Sequence, residues 1–176
     1  MNYTRLLRGA GLVAILTIVV TVIAWPDLQS TVRADDTGFA SPTDVHAPID
    51  WVNPTRGFTS NDSYTTTTID SAMQGYSDFG FEVPTGAFIL GIAVRLEAFS
   101  SDDEGCDLQV RLSWDGTTYT PLLRNANLTD SEQIHTLGGS SDDWGRDWVS
   151  SDFDDDNFVA RVTNVGEDIG CLAAST

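Results

Sequence analysis

Cys106, Leu108, Val110, Leu112 and Trp114 occupy every second position, with Asp107, Gln109, Arg111 and Ser113 between them. Successive side chains of a strand point to opposite faces, so this alternation gives one apolar and one polar face: a half-buried β-strand. Ile92, Val94, Leu96 and Ala98 alternate in the same way with Ala93, Arg95, Glu97 and Phe99. The polar stretch 100–105 between the two runs has hairpin character, so these strands are expected to pair. Asp115-Gly116 predicts a tight turn into a strand over 118–123, and further short strands are readable over 64–69, 79–83, 133–137 and 158–162. No segment after the N-terminus sustains a helical period. Short strands separated by Gly, Asp, Asn and Ser predict an all-β, antiparallel β-sandwich of jelly-roll or immunoglobulin-like kind.

The N-terminus has a different character. Arg5 and Arg8 precede an unbroken apolar run over 9–25, Pro26 and Asp27 end any helix, and Val32-Arg33-Ala34 offers small residues at signal-peptidase spacing. Residues 1–34 therefore read as an apolar helix acting as a signal peptide or, uncleaved, as a membrane anchor through 9–25. In both cases the rest of the chain is delivered outward, secreted or displayed at the cell surface. The stretch 35–48 holds Gly38, Pro42 and Pro48 and no periodicity, and reads as a polar linker before a domain over 49–176.

Charge narrows the partners. There are 26 acidic residues against nine basic ones, all nine of them arginine. Such a surface repels phosphate backbones, which excludes nucleic acid as an expected partner. Cys106 and Cys171 are the only cysteines, and an even count in an exported chain predicts that they bond to each other.

Trp51-Val52-Asn53-Pro54, Asn61 to Thr66, Phe79-Gly80-Phe81-Glu82-Val83-Pro84-Thr85-Gly86-Ala87, Ile89 to Leu96, and Asp143-Trp144-Gly145-Arg146-Asp147-Trp148 with Asp152 and Asn157-Phe158 form a recognisable series. It resembles the β-sandwich, jelly-roll-like modules of unassigned function that recur in secreted, cell-surface and phage structural proteins. The resemblance implies a fold and a role in display, adhesion or ligand binding, with no reaction attached. It also implies a final apolar strand beyond Cys171, which this chain lacks. The strand over 158–162 is then expected at an open sheet edge that recruits another strand, by self-association or from a partner.

Candidate site residues are few. Trp51, Trp144 and Trp148 suit core plugs whose ring N–H needs a partner; Trp144 and Trp148 could instead form an exposed platform for a sugar. Asp152, Asp154 and Asp156 alternate with hard-oxygen density that calcium favours, although Asn157 and Thr163 stand where an EF-hand needs glycine and glutamate. The competing reading is solvated loop charge, with Ser151 or Asp152 capping a single helical turn. Asp102, Asp103, Glu104 and Asp107 form a second acidic cluster. No nucleophile elbow, metal-spaced histidine pair, phosphate loop or Cys-x-x-Cys occurs, and His46 and His135 stand in unrelated contexts. No catalytic residue is assigned. The expectation is a binding or structural module for carbohydrate or a neighbouring protein, with calcium as its conceivable cofactor. Its rival is a carboxylate-based, glycosidase-like hydrolase using Glu97 with an aspartate.

Overall fold

The structure, a computed structural model, describes residues 36–101, 106–166 and 171–175. The expected leader over 1–34 and the acidic residues 102–104 lie outside the described residues. The described residues are all-β: nine strands in two antiparallel sheets, with two short 3-10 turns at Pro54–Phe58 and Ser150–Phe153.

The strands are β1 Asp44–Ile49, β2 Thr65–Thr67, β3 Met73–Ser77, β4 Ala93–Ser100, β5 Asp107–Ser113, β6 Arg124–Asn127, β7 Gln133–Gly138, β8 Val159–Val165 and β9 Cys171–Ser175. One sheet has the order β1-β3-β8-β5-β6 and the other β2-β9-β4-β7. The β5 alternation behaves as its sequence demands. Leu108, Val110 and Leu112 are fully buried, whereas Gln109 and Arg111 face outward. Leu96, Ala98 and Leu137 from one sheet join Leu108, Val110, Leu112, Ala160 and Val162 from the other in a single apolar cluster. Burial of such side chains, worth about 1.5–3 kcal/mol each, is the main stabilising contribution.

Several expectations are corrected. The runs around Leu96 and Leu108 do not pair as a hairpin: β4 bonds to β7 and β9, and β5 to β6 and β8, so the chain changes sheet between them. The alternation Phe79, Phe81, Val83 belongs to a loop. Asp78 and Gly80 have φ of 55° and 66°, which breaks any strand there, and the rings pack against Phe153 and Phe158 instead. In 118–123 a single bridge, Ser113 to Tyr119, is all that forms, and Pro121 has no N–H to extend it. The residues expected as a linker up to 48 contribute β1, an edge strand whose pairing with β3 becomes irregular between His46 and Ile49, where Pro48 sits.

The open edge expected at the Phe158 strand is absent. β8 lies between β3 and β5 and is bonded on both sides. The short C-terminal segment, β9, is likewise internal to its sheet, between β2 and β4.

Candidate functional site

The loop that runs from Asp142 into the second 3-10 turn carries most of the residues singled out by sequence, and it is built as a lid on the core. Trp144 is wholly buried and donates its indole N–H to the Ile92 carbonyl at 2.9 Å. Trp148, also buried, donates to the Asp143 carbonyl at 2.7 Å. Trp51 does the same with the Ala72 carbonyl at 3.2 Å. All three indoles are therefore satisfied core plugs. Trp144 and Trp148 present no stacking face to solvent, and the sugar platform expected of them does not form.

Two arginines fasten this loop. Arg124 grips Asp142 with two charge-assisted hydrogen bonds, Nε to Oδ2 at 2.7 Å and Nη2 to Oδ1 at 2.6 Å. Those bonds from Arg124 hold the Asp142 carboxyl below its ordinary range against the opposing effect of burial, assisted by the Trp144 N–H. Arg146 lies between two indoles, 4.0 Å from the Trp114 ring centre and 4.6 Å from that of Trp148, and reaches Asp152 at 3.0 Å. Asp152 also accepts the Val149 N–H at 2.9 Å, closing the 3-10 turn.

This arrangement lends no support to calcium at Asp152, Asp154 and Asp156. Asp152 is buried and committed to Arg146 and Val149. Asp154 stands at the end of the 3-10 turn, with its carbonyl accepting from Asn157 and Phe158, and Asp156 adopts φ of 72° with its N–H on Asp78. Asp155 accepts the Gly80 N–H. The three alternating aspartates do not converge. Among the described residues no group of three His, Cys, Asp or Glu is placed to hold a metal ion.

The residues of the hydrolase reading are also separable. Glu97 accepts from the Ser60 hydroxyl, and Glu132 accepts from Tyr64, whose own hydroxyl is pushed up mainly by that bond. Thus each carboxylate serves a local hydroxyl. His135 is the in-register partner of Leu96, and its Nε2 is buried without a hydrogen-bond partner. His46 lies in β1, on the other sheet.

A different constellation appears on the outward face of the five-stranded sheet. Side chains that are partners in register stand side by side on one face. His46 pairs with Gly75, Gly75 with Arg161, and Arg161 with Arg111, so one row crosses β1, β3, β8 and β5. The next row holds Met73, Thr163, Gln109 and Asn125. Gly75 has no room for a side chain, because a Cβ there would meet the His46 carbonyl oxygen at 2.5 Å. Tyr119 lies under Arg161, with the guanidinium carbon 3.6 Å from the ring centre. Burial raises the Tyr119 hydroxyl, and the Arg161 charge pulls it back. Sequence reading placed Arg111 on the polar face of its strand but missed its pairing with Arg161, since only the β5–β8 register brings the two together.

No protein-family model, curated protein or solved structure matches the chain. The geometry alone therefore carries the functional reading.

Proposed function

We propose that this chain is a secreted or surface-displayed β-sandwich module that binds a ligand, preferably carbohydrate, on the outward face of its five-stranded sheet. The sandwich reading is supported by the common apolar cluster drawn from both sheets. The observation that carries the binding reading is the pair of rows described above: Arg111, Arg161, Gln109, Thr163 and Asn125 project from paired strands, in a register fixed by the ladder. Hydrogen-bonding side chains anchored on rigid strands are what recognition of hydroxylated rings requires.

The test is calorimetric titration of the exported protein with a panel of neutral and acidic oligosaccharides, beside an Arg161→Gln variant. Saturable binding that weakens in the variant, with no turnover of the bound sugar, supports the reading. Release of product that disappears in Glu97→Gln would replace it with the hydrolase. Export has its own check, because the intact mass of the exported species should start at Asp35; retention of residues 1–34 would make the chain anchored, and a cytosolic product would end the secreted reading.

A further inference from the structure

We infer that Arg111 and Arg161 together seat one anionic group, a carboxylate or sulfate, carried by the ligand of this face. The inference deepens the binding reading above and rests on it only for the larger ligand to which the anion belongs.

The two arginines are direct cross-strand partners. That places their Cβ atoms about 4.5–5.5 Å apart, a separation at which like charges destabilise a sheet. The two ion pairs among the described residues belong to Arg124 and Arg146, two other arginines that are held against the fold beside aromatic rings and carboxylates. Among the described residues neither Arg111 nor Arg161 has a carboxylate within ion-pair distance, and Arg161 Nε is buried without a hydrogen-bond partner. The flanking partners offer no compensation either. Ser113 with Val159 lies on one side and Gln109 with Thr163 on the other, all uncharged.

The chain has 26 acidic residues, yet among the described ones none is paired with either of these two neighbouring arginines. Their charge is fixed, since an arginine does not deprotonate in the protein range, so the repulsion cannot be relieved by titration. It can be relieved by an anion. Each guanidinium presents a planar fork of donors matched to paired oxygens, and two adjacent forks match an oxyanion with three or four. Tyr119 holds one fork in place by stacking against Arg161. The chain's overall negative charge does not forbid the approach: at 0.15 M salt the screening length is about 8 Å, so distant carboxylates are largely masked while adjacent guanidinia are not.

The experiment follows the arginine Nε–H resonances of the full exported protein by NMR during titration with sodium sulfate, at constant ionic strength set by NaCl. The expected result is a saturable shift of the Arg161 and Arg111 signals, weakened about tenfold or more in Arg111→Gln and Arg161→Gln and unchanged in Arg56→Gln, an exposed control. Arg111→Lys, which keeps the charge but loses the fork, should bind between the two extremes and guards against misfolding of the glutamine variants. Linear shifts shared by all arginines, or full affinity in Arg111→Gln, would overturn the inference. A uronic-acid oligosaccharide and its neutral counterpart of equal length then locate the anion. Preference for the acidic chain assigns it to a glycan. If sulfate binds saturably but neither oligosaccharide does, the seat stands and the carbohydrate reading falls. If the neutral chain binds equally to wild type and Arg111→Gln while sulfate does not bind, the face binds sugar and the seat falls.

Discussion

Replacing Asp152 with alanine tests whether the acidic loop is an architectural lock or a metal site. Its side chain is 11% exposed, and that of Arg146, its partner at 3.0 Å, is 21% exposed. Arg146 is already short of one partner, because its Nη1 is buried and unbonded. Losing the carboxylate would leave a largely covered guanidinium between two indoles with no counter-charge, and would free the Val149 N–H that closes the 3-10 turn. Breaking one side of a buried pair costs about 3–5 kcal/mol, and loss of a turn-closing acceptor adds about 1 kcal/mol. The partial exposure of both groups pulls the total toward about 3 kcal/mol. For a domain of this size that corresponds to a fall in Tm of roughly 10 °C. Thermal melts by near-ultraviolet circular dichroism, which sees the Trp114–Trp148 contact directly, should show it equally with EDTA and with millimolar calcium. In a double-mutant cycle, Arg146→Met in the Asp152→Ala background should recover part of the loss. A variant melting within 2 °C of wild type (about 0.5 kcal/mol), or a loss that appears only when calcium is present, would refute the lock.

Three further outcomes are expected. Because hydrogen bonds from Arg124 lower the Asp142 carboxyl, the pair contributes its full stability above the unfolded value of about 3.9 and loses it as pH falls through the lower folded value; Arg124→Met should therefore cost ~1–2 kcal/mol at pH 7 and progressively less as pH falls below the unfolded value, read from urea midpoints. Gly138→Ala should destabilise by about 2–4 kcal/mol, since φ is +77° and the new Cβ would lie 2.3 Å from the Ile92 carbonyl oxygen and 2.8 Å from Trp144 Nε1; a neutral result in chemical denaturation would show that this turn yields. Thiol titration of unfolded, unreduced protein should find no free sulfhydryl, with Cys106 joined to Cys171: the described residues contain no free cysteine, Cys106 lies 3.7 Å from Ser100 Oγ, and Cys171 is the in-register partner of Ser100. Two reactive thiols would refute the bond.

Legibility in the sequence followed the strength of the local signal. Leu108, Val110 and Leu112 declare an inward face by alternation alone, and β4, β5, β7 and β8 all fall close to their expected spans. β3 was illegible because its burial does not alternate: Gly75 is buried by the close approach of β1 on what would be the solvent face. The aromatic run around Phe81 was legible as apolar but not as loop, since Gly80 and Asp78 bend the backbone in a way the side-chain pattern does not report. Which strand pairs with which is a non-local property, so both the false β4–β5 hairpin and the unforeseen Arg111–Arg161 contact come from the same source. For Trp144 and Trp148 size and a single donor suited both a plug and a sugar platform, and only their burial and bonded indole N–H favour the plug. The spacing of the aspartate triplet says nothing of Arg146, whose guanidinium pairs with Asp152.

The internal position of β9 bears on the order in which the molecule can be assembled. Thr65 and Ala98 meet the same residue, Ala173, from opposite sides. The centre of that sheet is therefore supplied by the last strand of the chain, across a long stretch of intervening sequence, and the loop-closure entropy falls late. Before that strand arrives, β2 has only the single bridge from Val52, and β4 only its ladder with β7. A chain made from its N-terminus thus holds this sheet unfinished until β9 is available, so the sheet can close only after its other three strands have been made.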